Sequence, residues 1–265
     1  MTARPAAPTL GELRAVVQPD WVMERSAEHW TGTLYMRRLS IYLTWLLVRT
    51  PITANGVTWL MIIAGGLAGP ALLIPGLWGP LVAALLAQFQ MLLDCCDGEV
   101  ARWRETMSPR GIFLDQIGHY VAEGSIGAFL GVSVAFSWFG EPVDWRFMFI
   151  GAALAAGIWF NKSLNMMVTL ARTNSGLERL PDQPAVRAIS GGSLLARLRR
   201  VARFVPFHRM FHSIELTLVS LAVAVVALFI PAVWPWYVVA LAVLIWPVIV
   251  GHFIAIWVSP RLAAR

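Results

Sequence analysis

Charged residues are scarce in this chain of 265 residues: they make up 14% of it, whereas a soluble domain carries about 25%. Tyrosine is also rare, with four residues against thirteen Trp and thirteen Phe. With 58% hydrophobic residues, the composition excludes a disordered chain, and the net charge of +6 does not indicate a nucleic-acid-binding domain. We expect a membrane protein, and because each spanning helix needs about 20 apolar residues, the length accommodates about six spans.

Cysteine is also rare, and the N-terminal residues lack the features of a signal peptide. The only cysteines, Cys95 and Cys96, are adjacent in an apolar helical run and cannot bridge well, which excludes a disulfide scaffold. We expect both to be reduced packing residues. Residues 1–20 lack the apolar core of a signal peptide, so the first hydrophobic span is expected to act as an uncleaved insertion signal.

Six long apolar stretches, punctuated by Gly and Pro, predict the fold class. We expect an all-α integral membrane protein with six transmembrane helices, preceded by an interfacial amphipathic helix over residues 26–49. The alternative, a first spanning helix over residues 39–48, is too short to cross a bilayer. The six stretches are residues 57–74, 81–93, 111–139, 147–170, 214–230 and 236–258.

Arginine is distributed asymmetrically between the predicted loops, which predicts the orientation. The segments before the first span, after the second and after the fourth are rich in Arg, whereas the three opposite turns hold only Arg146. Both termini are therefore expected in the cytoplasm, in a multi-pass protein of the plasma (cell inner) membrane. The expected organisation is a cytoplasmic arm (1–25), the interfacial helix (26–49), the six-span domain (50–258) with a basic cytoplasmic loop (171–209), and a tail (259–265).

An acidic cluster lies where the second span ends and the third begins. Asp94 and Asp97 are three residues apart, and Asp115 and His119 are four apart, so each pair shares one face of its helix. The connection between the helices is short, so we expect antiparallel neighbours whose two faces converge. Ionisable residues at membrane depth are functional candidates by default.

Three converging carboxylates repel one another, so they either take up protons or bind a divalent cation. Carboxylate oxygens favour Mg²⁺ or Mn²⁺, and two such ions would hold the oxygens of a phosphate undergoing displacement. Gly98, Ala101 and Gly111 lack bulk at points where a ligand or a helix must approach closely.

This run resembles the signature of the CDP-alcohol phosphotransferase (CDP-alcohol phosphatidyltransferase) family, D-x2-D-G-x2-A-R-x8-G-x3-D-x3-D. Every position matches except the last aspartate, which is replaced by His119. A second match, residues 50–58, resembles the family's T-P-x-x-N-x-V-T element before the first span, with one additional residue between Pro51 and Asn55. Together the resemblance covers most of residues 26–258, and the region around residues 50–58 looks most like the branch with the di-myo-inositol-phosphate-phosphate synthases.

The resemblance implies a membrane transferase that moves a phospho-alcohol group from a CDP-linked donor to an acceptor hydroxyl and releases CMP, in phospholipid or inositol-phosphodiester synthesis. It assigns two Mg²⁺ or Mn²⁺ ions to Asp94, Asp97 and Asp115, and catalysis to Asp115 and His119. The donor and its nucleotide are assigned to Asn55, Thr58, Asp94, Gly98, Ala101, Arg102 and Gly111. Members are often homodimers, so a homodimer is an expectation that rests on the resemblance alone.

His119 stands where the family has the base that deprotonates the acceptor. A neutral imidazole is a competent base near pH 7, and it also binds metals. Alternatively, the site is degenerate and binds a nucleotide or lipid without turnover. A small ion-coupled transporter is a further alternative, although no internal repeat is visible.

The acceptor is expected to contact Lys162 and Asn165 in the fourth span, and Arg110 and Arg172 at the cytoplasmic face. For Lys162 the alternative is a snorkelling side chain or an ion pair with an acidic residue. The two arginines are equally interpretable as plain cytoplasmic charges. The sequence identifies neither the donor nor the acceptor.

Overall fold

The structure is a computed structural model that describes residues 4–5, 7–20, 22, 35–136, 143–177, 209–259 and 262. Over these ranges the regular structure is helical, with eight α-helices and one short 3₁₀ turn, Arg209–Phe211. The helices are α1 (Leu10–Val17), α2 (Arg37–Leu47), α3 (Ala54–Ala71), α4 (Trp78–Arg104), α5 (Pro109–Ala135), α6 (Arg146–Asn174), α7 (Ser213–Ala227) and α8 (Val233–Trp257).

Four of these helices, α3, α4, α6 and α8, are long and apolar enough to cross a membrane. Within the described residues, the protein is therefore all-helical and has the helices expected of an integral membrane protein. Helix α5 has 27 residues but includes Arg110, Asp115 and Glu123, and α7 has only 15 residues. A span needs about 20 apolar residues, and neither α5 nor α7 is among the four helices that meet this criterion. Six spans therefore stay a prediction.

Several predicted segments fall partly outside the described residues. Helix α2 lies within the predicted interfacial segment 26–49, of which residues 26–34 are outside. The basic loop predicted at 171–209 is described only at 171–177 and 209, and the predicted tail only at 259 and 262. The contact of α2 with a bilayer stays a prediction.

The chain divides into two compact units. The first contains the described residues of Met1–Gly65 and Leu86–Val121. Its apolar core joins side chains from α1 to α4, with Ile41, Val57 and Cys96 fully buried. Arg104 at the end of α4 donates hydrogen bonds to backbone carbonyls of the turn between α2 and α3, among them that of Thr50 at 2.6 Å. This guanidinium therefore fixes the start of α3 against the end of α4.

The second unit contains the described residues of Gly66–Leu85, Ala122–Pro181 and Ala188–Arg265. Helices α5 and α6 approach closely where a Cβ built on Gly131 would lie 2.2 Å from the Phe147 carbonyl oxygen and 2.6 Å from the Cα of Gly151. Glycine permits this contact because it has no side chain. Helix α8 packs along α6, and His252 Nδ1 lies 2.9 Å from Asn161 Oδ1.

Candidate functional site

The turn between α4 and α5 brings the two halves of the acidic motif together in the first unit. Glu105, just after α4, has a left-handed φ of 56°, and the Thr106 N–H donates to the Ala101 carbonyl at 3.0 Å. This bond closes the helix end in a Schellman motif, where glycine is the usual residue. Ser108 then accepts from the Gly111 N–H at 3.2 Å and so caps α5.

Three side chains converge above this turn. His119 Nε2 lies 3.2 Å from Asp94 Oδ1 and 3.5 Å from Asp115 Oδ1. Their ligand atoms all lie within 4.8 Å of one another. The side chains are 19%, 22% and 31% exposed for His119, Asp94 and Asp115, so the group is shielded but reachable. The predicted convergence of α4 and α5 is thus present for these three residues.

This group has the chemistry of a divalent-cation site. Cis ligands of an octahedral ion with bonds of about 2.1 Å lie about 3.0 Å apart, and the two contacts of the His119 ring nitrogen are close to that spacing. Two carboxylates suit Mg²⁺ or Mn²⁺, and imidazole is a ligand for transition metals. Asp94, Asp115 and His119 would therefore hold one such ion.

Asp97 stands apart from this group. Its Oδ2 accepts a hydrogen bond from the Thr58 hydroxyl at 2.7 Å, and Thr58 is 2% exposed. In the described residues, the group that meets the geometry for one cation contains His119 and not Asp97. The expected role of Asp97 as a metal ligand, and the expected second ion, stay predictions.

The other residues expected at the donor also belong to the first unit. A Cβ built on Gly111 would lie 3.2 Å from Asn55 Oδ1, so the small residue allows α5 to approach the start of α3. A Cβ on Gly98 would lie 3.2 Å from Arg102 Nη1. The guanidinium of Arg102 therefore lies over Gly98 on the surface of α4, and Ala101 is half-buried beside the core.

The four residues expected at the acceptor are placed differently. Arg110 is exposed at the start of α5. Lys162, Asn165 and Arg172 lie on α6 in the second unit, where Asn165 is exposed and Arg172 half-buried. Lys162 Nζ lies 2.8 Å from the buried carboxylate of Glu123, which is the ion pair considered as the alternative. Their contact with an acceptor stays a prediction.

A buried carboxylate network was missed by the sequence analysis. Glu99 has no exposed surface and accepts hydrogen bonds from Ser40 at 2.7 Å, Thr44 at 2.6 Å and Gln18 at 2.8 Å. Arg37 Nη1 lies 3.8 Å away. The available signal was the spacing of Ser40 and Thr44, which places two hydroxyls on one face of a short helix; that they meet Glu99 is shown by the structure.

Comparison with known proteins gives one family match. The family model described as CDP-alcohol phosphatidyltransferase matches residues 51–248 of the chain, which include all residues of the cation group. No curated protein matches the chain.

Proposed function

The chain belongs to the CDP-alcohol phosphatidyltransferase family, and we propose that it is a membrane transferase that moves a phospho-alcohol group from a CDP-linked donor to an acceptor hydroxyl. The family membership supports a transferase that uses a CDP-alcohol. The finer parts of the proposal are the residue roles, phospholipid or inositol-phosphodiester synthesis as its setting, and the cell inner membrane with cytoplasmic termini. They rest on the motif and on the distribution of arginine.

The observation that carries the proposal is the convergence of Asp94, Asp115 and His119 within 4.8 Å. Isolated carboxylates this close would repel one another strongly. A bound Mg²⁺ or Mn²⁺ would neutralise them and would offset the negative charge of the donor diphosphate. Asp94 and Asp115 would supply carboxylate ligands for such an ion, and His119 would either complete the ligand set or serve as the base.

The proposed reaction forms one bond and breaks one. The acceptor oxygen attacks the β-phosphorus of the donor, the bond from that phosphorus to the bridging oxygen breaks, and CMP leaves with the electron pair. His119 takes the proton of the acceptor hydroxyl on a ring nitrogen. The carboxylates of Asp94 and Asp115, 3.2 and 3.5 Å from Nε2, stabilise the positive charge that the ring acquires. Arg102, Asn55 and Thr58 are assigned to the donor.

The experiment is CMP release by the purified full chain in detergent or lipid discs, against a panel of CDP-linked donors that includes CDP-diacylglycerol and CDP-inositol. We expect release that requires Mg²⁺ or Mn²⁺, is abolished by EDTA, and falls at least a hundredfold in Asp115→Asn. Asp144→Asn is the matched control, because Asp144 belongs to the second unit and pairs with Arg146 at 2.6 Å. CMP binding without release for every donor and acceptor would support the degenerate alternative and contradict catalysis.

The role of His119 needs its own comparison. If His119 is the base, His119→Asp restores the family's residue and keeps measurable release, whereas His119→Ala loses it. A His119→Ala variant with the full wild-type rate across pH 6–8 would show that the imidazole does not take the proton. Binding of Mn²⁺ to both variants, followed by electron paramagnetic resonance, separates a base from a metal ligand.

A further inference from the structure

The described residues before position 51 lie outside the family match, yet the first of them contact the motif helix α4 at its C-terminal end. Arg4 Nη1 donates to the backbone carbonyls of Arg102 at 2.5 Å and Trp103 at 2.6 Å. Its Nη2 pairs with Glu105 at 2.7 Å. The carbonyls at a helix C-terminus lack partners within the helix, so Arg4 satisfies two of those on α4.

A second contact holds the side chain of Arg102 itself. Its Nε donates to the carbonyl of Val17 at 2.9 Å. Val17 is the last residue of α1, so this carbonyl lies at the negative end of the helix dipole, where a cation is stabilised. Arg102 Nη2 is buried with no hydrogen-bond partner in the described part of the chain. One edge of the guanidinium is thus fixed, while the buried Nη2 lacks the acceptor that an anionic ligand would supply.

A third contact ties α1 to α4 through the buried carboxylate. Gln18, the C-cap of α1, donates through Nε2 to Glu99 at 2.8 Å and to the Arg37 carbonyl at 2.7 Å. Glu99 and Arg102 are three residues apart on α4 and therefore lie on neighbouring positions of one helix face. Gln18 and Val17 consequently engage the same part of α4.

We propose that residues 4–18, here called the N-terminal bracket, position the Arg102 guanidinium for the phosphate groups of the donor nucleotide. The bracket acts through Arg102: Val17 holds the side chain, Gln18 ties the end of α1 to α4, and Arg4 ties the residues before α1 to the end of α4. This inference rests on the proposed function, because it assumes that Arg102 contacts the nucleotide. It adds a segment outside the family match to the determinants of donor affinity.

The test is a double-mutant cycle on the full chain, with the dissociation constant of CMP measured by calorimetry at saturating Mg²⁺. Gln18→Glu places a second carboxylate against Glu99 and releases α1, and Arg102→Ala removes the side chain that the bracket holds. We expect each single variant to weaken CMP binding about tenfold, and the double variant to be no weaker than Arg102→Ala. Arg4→Ala is a milder second variant, with Arg14→Ala, an exposed arginine of α1, as its control.

The outcomes separate the two levels of inference. Mn²⁺ binding in all variants, measured by electron paramagnetic resonance, should equal that of the wild type, because the cation group is untouched. If the effects of Gln18→Glu and Arg102→Ala on CMP affinity multiply, or if Arg4→Ala equals Arg14→Ala, the bracket does not act through Arg102. If the wild-type chain fails to bind CMP, the proposed function fails and this inference fails with it.

Discussion

Removing the buried carboxylate of Glu99 should destabilise the first unit severely. Glu99→Ala takes away the common acceptor of Ser40, Thr44 and Gln18, which donate at 2.6 to 2.8 Å, and the counter-charge of Arg37. Glu99 itself is 0% exposed, so water cannot replace the lost acceptor without entering the core. The fully buried hydroxyls of Ser40 and Thr44 would lose this acceptor and Arg37 its counter-charge, whereas Gln18 would keep its bond to the Arg37 carbonyl.

The magnitude follows from the burial. Breaking a buried ion pair by removing one member costs about 3–5 kcal/mol, mostly because the other member stays buried and uncompensated. In a domain of this size, 1 kcal/mol corresponds to roughly 2–4 °C in the unfolding midpoint. We therefore expect Glu99→Ala to lower the apparent midpoint by about 6–20 °C.

The assay is thermal unfolding of the purified protein in detergent at a fixed scan rate, followed by tryptophan fluorescence; Trp103 belongs to the same core cluster. Glu99→Gln keeps an amide oxygen for Gln18 and Ser40 and should lose about 1–2 kcal/mol. Glu105→Ala is the matched surface control, because its carboxylate is 54% exposed and its pair with Arg4 is worth about 1 kcal/mol at most. A Glu99→Ala midpoint within about 2 °C of the control would refute the reasoning.

Three further predictions concern other parts of the chain. Gly131→Ala should lower the unfolding midpoint, at a cost of about 1–3 kcal/mol, because the new methyl group meets backbone at 2.2 Å. Gly251→Ala is the control and should not lower the midpoint, because a Cβ there has nothing within 4 Å. Equal midpoints for the two variants would contradict the described packing. Thr58→Val removes the hydroxyl that donates to Asp97 and should slow CMP release about tenfold or more. Thr58→Ser keeps a hydroxyl and should retain the wild-type rate. A wild-type rate of release in the valine variant would show that this hydrogen bond is dispensable. The backbone N–H of Thr9, the N-cap of α1, and then the Thr9 hydroxyl lower the pKa of Glu12 below its ordinary value of 4.5. The ionised Glu12 carboxylate therefore stabilises α1 above pH 4.5, and this stabilisation is lost as the pH falls through the lowered pKa. Amide exchange of residues 10–17, corrected for intrinsic rates, should therefore accelerate at acid pH in the wild type and not in Glu12→Ala.

Much of the helical architecture could be predicted, because it depends on local composition. Helices α3, α4, α6 and α8 coincide with apolar stretches recognised from hydrophobicity alone. The apolar run ends at residue 93, but α4 continues to Arg104. The expected helix face shared by Asp94 and Asp97 requires such a continuation, because backbone hydrogen bonds persist through charged sequence when one face packs. The number of spans depends on α5 and α7, whose charge or length makes hydropathy alone indecisive.

For the site, residue spacing within one helix was sufficient to pair Asp115 with His119, since positions four apart share a face whatever surrounds them. The motif likewise identified the family. The convergence of the two motif faces was expected, but the side chains that meet between helices were not predictable in this way, because they depend on how far each helix is rotated about its axis. The packing of α3, α4 and α5 therefore decided that His119 meets Asp94 while Asp97 turns to Thr58. The same packing brought Gln18 to Glu99, two residues 81 positions apart that no local pattern connects.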